Sequence, residues 1–249
     1  MNQRPAASEI ILNPDHSIYH LNLRNGEVPQ KVITVGDPDR VSMVSKYFDE
    51  IYWRRSSREF VMHRGRIGSE EIMVLSTGIG TDNIDVALTE LQLAYAWDLP
   101  ARQAMENPPP PLQIIRLGTS GSLREDIPVD SILISEAALG YDGLMHFYEH
   151  DLPWVEAHPD LPKGYLAPAG EQLLEAFKAL SPYRGLTLTA SGFYGPQGRN
   201  IIVPARPAGL LQTLIAKPIQ GMRLTNLEME TAGIYALSHL FGAQALSIS

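Results

Sequence analysis

The chain has 249 residues, 44% of them hydrophobic, which suits one large domain with a substantial buried core. Its 20 basic and 28 acidic residues give a formal net charge of −8, which argues against nucleic acid or an anionic membrane as a partner, because both reward a basic surface. The absence of cysteine excludes disulfides and thiolate zinc sites and fits a reducing cytoplasm.

The opening MNQRPAASEIIL lacks a basic region followed by a long apolar run, so no signal peptide is read there, and residues 1–14 are expected to be a flexible N-terminus. No apolar stretch approaches the roughly 18 residues of a spanning helix. KVITV, 31–35, is a short apolar run rich in β-branched residues and reads as a buried strand. GDPDR follows it, then VSMVSKYF as a helix with Asp39 near its start. Residues 51–57 and 60–68 read as strands joined by Arg58-Glu59. EIMVLSTGIG is a strand that ends in glycine turns.

Residues 81–97 have helical spacing, with Asp82 as the expected cap. AMENPPPPL, 104–112, is a proline-rich insertion that cannot be a helix interior; it reads as a stiff loop or a polyproline partner segment. QIIRLGTSGSL repeats the strand-then-glycine pattern, and SILIS, 131–135, is another strand. Residues 140–165, rich in aromatics, prolines and histidines, read as an irregular active-site-like loop or a surface excursion. GEQLLEAFKAL is a helix ended by Ser-Pro, and LTLTASGFYGPQGR is a strand running into a loop. PAGLLQTLIA reads as a helix with Pro207 near its first turn. GMRLTNLEM is a strand, ETAGIYALSHLFG a helix closed by Gly242, and AQALSIS begins one more strand. This alternation predicts an α/β fold with a mainly parallel or mixed central sheet. Such sheets bind ligands at the carboxyl ends of their strands, where every glycine-rich turn here falls.

Three strand ends carry the chemistry. VGDPDR holds Gly36 and Arg40, STGIG holds Gly78 and Gly80, and RLGTSG holds Arg116, Gly118, Thr119 and Gly121. Glycines let a backbone approach an anion, and arginine adds paired donors that fit phosphate; each turn taken alone also reads as a plain tight turn. STGIGTDN lacks the third glycine and the following acid of a dinucleotide fingerprint. In NLEMET, an extended backbone points Glu228 and Glu230 to one face and Met229 to the other. That pair is either an acidic helix start favoured by the dipole, or two carboxylates sharing a ligand such as a sugar diol. His146 and His150, four apart with Glu149 between, fit a metal pair lacking a third ligand or a loop at a substrate mouth.

In order and rough spacing, YHLNL (19–23), GDPDRV, SSREF, LSTGIG, RLGTSG, FYGPQGR and NLEMET resemble the nucleoside phosphorylases, specifically the uridine phosphorylase branch, over about residues 15 to 249. The resemblance implies a single-domain, three-layer α/β/α fold over 1–249 with a mixed central sheet, stopping short of the family's final strand and helix. It implies a phosphate site of Gly36, Arg40, Arg116 and Thr119, completed by Arg58 from a neighbouring subunit. Glu228, Met229 and Glu230 are implied to hold the ribose, with His20 of a neighbour at the 5′-hydroxyl. Thr119, Gly121, Phe193, Gln197 and Arg199 are implied to receive the base, and Arg116, Glu230 and Arg199 to carry the catalysis.

The same resemblance implies that uridine and phosphate give uracil and ribose 1-phosphate, with phosphate as co-substrate and no metal or organic cofactor. Purine-specific relatives usually have GDPLR and lack the Gln-x-Arg pair, which favours uracil nucleosides. In the loop Tyr194-Gly195-Pro196-Gln197-Gly198-Arg199, Gly and Pro are exchanged, and Gly198 stands where the family usually has Glu. The implied assembly is a homo-oligomer of dimers that share active sites, as a trimer of dimers. The competing readings are a nucleosidase, a purine nucleoside phosphorylase, and a nucleoside-binding homologue without turnover.

Overall fold

A computed structural model describes residues 4–249, so the first three residues of the expected flexible N-terminus lie outside the described residues. Two compact units emerge: the residues up to Gly78 together with Asp85–Ile114, and Ile79–Ile84 together with Ile115–Ser249.

The first unit is built on β1 (Lys31–Val35), α1 (Asp39–Ser45), β2 (Glu50–Ser57), β3 (Phe60–Ile67), β4 (Glu70–Ser76), most of α2 (Thr81–Ala96) and the short pair β5 (Trp97–Asp98) and β6 (Gln103–Ala104). Its strands lie in the order β2-β3-β4-β1. The β2–β3 and β3–β4 pairs are antiparallel, and β1 lies parallel to β4 with Val35 beside Ser76. The tight Arg58–Glu59 turn between β2 and β3 forces Arg58 to φ +54, the left-handed region that disfavours a side chain. Asp82 lies inside the first turn of α2, because the helix begins at Thr81; its charge complements the dipole there instead of capping. The proline-rich stretch is tied down: the Tyr95 hydroxyl donates to the Pro110 carbonyl at 2.6 Å and the Gln30 amide to that of Pro111 at 3.0 Å.

The second unit receives β7 (Gln113–Leu117) and continues through β8 (Gly121–Ser122), β9 (Leu133–Tyr141), β10 (Trp154–Val155), β11 (Gly164–Pro168), α3 (Glu171–Phe177), β12 (Tyr183–Ala190), α4 (Leu210–Ile215), β13 (Leu224–Glu228), α5 (Thr231–Leu240) and β14 (Gln244–Ile248). Its strands run in the order β7-β14-β9-β12-β13-β8, with β11 also against β9 and β10 against β11. The β9–β12 and β12–β13 pairs are parallel, while β14, β11 and β8 run antiparallel to their neighbours, so the sheet is mixed as expected.

Alternation along β12 makes the layers. Leu186 and Leu188 pack with Leu210 and Leu214 of α4, while Thr189 on the other face accepts a hydrogen bond from the Ala232 N–H of α5 at 2.9 Å. Sheet between α4 and α5 is the three-layer arrangement. Two expectations are corrected. The strand read at 131–135 is β9, which runs on to Tyr141 into the stretch read as irregular; it is buried on both faces, so it lacks the alternation that marks a half-buried strand. The helix read from Pro207 begins only at Leu210, because Gly209 sits at φ +72 and interrupts it. Among the described residues no helix is long and apolar enough to cross a membrane.

Candidate active site

The chain turns from strand to helix at Glu-Met-Glu. β13 ends at Glu228, α5 starts at Thr231, and Glu230 holds the N-cap position. Glu228 and Glu230 are buried, and Met229 is half-buried. Glu228 accepts the backbone N–H groups of Glu230 and Thr231, each at 2.9 Å, so it caps α5 from the strand side. The Thr189 hydroxyl donates to its Oε1 at 2.6 Å. What lies between the two carboxylates is the guanidinium of Arg116 on β7. Its Nη2 stands 3.1 Å from Glu228 Oε2 and 2.8 Å from Glu230 Oε2. The Gly80 N–H, from a turn at φ +93, donates to the other oxygen of Glu230 at 2.8 Å. Arg116 Nη1 donates to the hydroxyls of Ser249 and Ser247 at 3.3 and 3.4 Å.

Burial decides the electrostatics of this cluster. It pushes Glu230 above the ordinary carboxylate range; Arg116 pulls back, and the neighbouring Glu228 charge adds to the rise. Burial works against the charge on Arg116, but the two carboxylates overcome it and leave the guanidinium above the usual arginine value. The cation therefore stays charged in a site only 6% exposed. Gly118 makes room for it: a Cβ there would stand 1.8 Å from Arg116 Nη1. Thr119 and Gly121 are exposed, Gly121 pairing with Leu227 in the β8–β13 ladder, and Ser120 accepts the Asn226 amide at 2.9 Å.

The second cluster is the loop after β12. Arg199 lies over the Phe193 ring at 3.8 Å, donates to the buried Gln197 Oε1 at 2.5 Å, and also donates to the Phe193 carbonyl. Three predicted base-side residues are thus brought together. Arg199 also lines a cavity of about 920 Å³, with Tyr194 and Ile202 from the loop and Asp142, His146 and Tyr165 from β9 to β11. Arg116, Glu228 and Glu230 do not line it. Sequence reasoning missed Asp142: its Oδ2 accepts the Tyr165 hydroxyl at 2.6 Å, its Oδ1 accepts the Leu144 N–H at 2.8 Å, and burial pushes its carboxyl up. The signal available was GYDG, an acid followed by glycine at a strand end.

The remaining predicted residues lie in the first unit. A Cβ at Gly36 would stand 3.4 Å from Arg40 Nη2 and from the Gly78 carbonyl, so this turn brings Arg40 back over its own glycine. Arg58 lies 5.3 Å over the Tyr19 ring, and Tyr19 meets His20 edge-on at 4.8 Å. His146 and His150 flank Trp154 at 4.6 and 5.1 Å, and His146 also lines the cavity. Among the described residues no group of three or more His, Cys, Asp or Glu is placed to hold a metal ion.

Comparison with known proteins adds to this geometry. A family model described as the phosphorylase superfamily matches residues 30–249. The uridine phosphorylase of Thermococcus kodakarensis is 29% identical over 232 residues, 91% of this chain and 74% of that protein. That of Haemophilus influenzae is 27% identical over 92% of this chain and 82% of its own length. A Trypanosoma brucei nucleoside phosphorylase, described as showing uridine phosphorylase activity, has a similar structure, with a TM-score of 0.81, 26% identity, and coverage of 96% of this chain and 88% of that one.

Proposed function

The chain belongs to the phosphorylase superfamily, and from that premise we propose that it cleaves a pyrimidine nucleoside with phosphate, converting uridine to uracil and ribose 1-phosphate. The uridine phosphorylases among its relatives support this reading. The observation that carries it is the buried Arg116 between Glu228 and Glu230. A sugar diol donates two hydrogen bonds, and two converging carboxylates accept them. As the glycosidic bond breaks, positive character builds at C1′, which the carboxylates stabilise while the arginine holds the anionic nucleophile in line. Gln197 and Arg199 receive the charge that develops on the leaving uracil, so the leaving group needs no protonated acid.

On this reading Arg116 and Thr119 bind phosphate, and the motif resemblance gives Gly36, Arg40 and Arg58 the same ligand. Phosphate is a co-substrate, and the chemistry needs no metal or organic cofactor. The acting form is a homo-oligomer whose dimers share sites, with Arg58 and His20 supplied to a neighbour in a cytoplasmic homohexamer. The test is to incubate the protein with uridine, with and without phosphate, and to follow uracil and ribose 1-phosphate. Uracil released only with phosphate, together with ribose 1-phosphate, is expected. Release without phosphate would replace phosphorolysis with hydrolysis, and no release in either tube would refute both.

A further inference from the structure

We infer that Glu90 is a positioning residue that orients His20 for recognition of the nucleoside's 5′-hydroxyl, an inference that rests on the function proposed above. Glu90 lies on α2 and is only 8% exposed. Its carboxylate is spent on one short stretch of chain. Oε2 accepts the backbone N–H groups of His20 at 2.9 Å and Leu21 at 2.8 Å, and Oε1 lies 2.6 Å from His20 Nδ1. The Ser57 hydroxyl donates to the His20 carbonyl at 2.6 Å, so the residue is held on both sides of its Cα.

The direction of the ring bond follows from the partners. A carboxylate has no proton to give, so Nδ1 donates. In the neutral ring that leaves Nε2 as an acceptor, the tautomer being set by the bond at the other nitrogen. The His20 side chain is about a third exposed (34%), and among the described residues no bond engages Nε2. An acceptor fixed in this way is complementary to a hydroxyl that donates. Tyr19 steadies the edge of the ring and at the same time underlies Arg58, so the two groups read as serving a neighbour's site are brought together on one aromatic ring.

The test compares uridine with 5′-deoxyuridine in the full-length native protein, E90Q, H20A and the double variant, using the ratio of kcat/KM values. The native protein should prefer uridine by roughly tenfold, the worth of one good hydrogen bond to a fixed partner. His20→Ala should bring the ratio near one. Glu90→Gln should lower it substantially, and should add nothing to the ratio once His20 is gone. A merely structural Glu90 would lower both substrates by the same factor and leave the ratio intact, which overturns the inference, as does a native protein that consumes both substrates equally. An arm independent of turnover is the long-range ¹H–¹⁵N spectrum of the native imidazole, assigned by loss of the signal in H20A. A proton on Nδ1 is expected, and a neutral ring protonated on Nε2 overturns the assignment. If uridine is not consumed, the phosphorylase reading has failed, and the spectrum still decides what Glu90 does to His20.

Discussion

Arg116 keeps its place only because Gly118 has no side chain. The clash of an added Cβ is with the guanidinium itself, so Gly118→Ala displaces the cation and leaves Glu228 and Glu230 without it. We expect phosphate-dependent turnover to fall about 10²–10³-fold, the usual cost of one positioned charge donor, in a protein that still folds. Turnover within a few-fold of native would remove Arg116 from the reaction. Glu230 adds a pH signature. It must be ionised to accept a diol, and burial raises its pKa above the ordinary 4.5, so kcat/KM should fall with acidification at a higher pH than a normal glutamate dictates. Stability runs the other way. The folded protein holds the Glu230 proton more tightly than the unfolded chain, so this contribution is full below 4.5 and is lost as pH rises through the raised value. Glu230→Gln should remove both trends, and an unchanged acid limb in that variant would assign it to another group.

The strand-to-helix turn at 228–231 explains why two readings of Glu-Met-Glu stood side by side in the sequence. The structure shows the first for Glu228, which caps α5; between the carboxylates it places Arg116, and the shared sugar remains part of the proposal. Period-two patterning in LTLTA was enough to place β12, and apolar runs placed most other strands. It did not reveal that Thr189 would donate to Glu228 and accept from Ala232, because β12 and β13 are neighbours across the intervening loop and α4. The second half of β9, beyond Ser135, escaped for the opposite reason, residues on both of its faces being buried. Thr189→Val keeps the shape and removes both bonds, leaving a buried N–H without a partner. We predict a loss of about 1–3 kcal/mol, read as a lower urea midpoint with an unchanged slope. An unchanged midpoint would mean that α5 does not depend on this bridge.

At the scale of the whole molecule, the order of motifs along the chain was legible, because most of the short signatures combine a strand end with residues suited to their chemistry. The partners that hold those residues were not legible. Glu90 lies 70 positions from His20 and looks like any helical glutamate, and Asp142 sat in a stretch read as irregular. The proposed oligomer stands furthest from the single chain, and it makes its own prediction. If Arg58 completes the site of a neighbour, then Arg58→Ala and Arg116→Ala damage different subunits' contributions to one site. Each variant alone should be inactive. Co-expressed in equal amounts, they form mixed dimers in which one site carries both defects and the other neither. Half the dimers are mixed and half their sites intact, so activity should recover to about one quarter of native by the two-fold symmetry of the pairing. Recovery should appear only in fractions that a sizing column shows to be oligomeric. Mixed dimers that form and stay inactive would mean that Arg58 and Arg116 must come from the same chain, and the shared site would be abandoned.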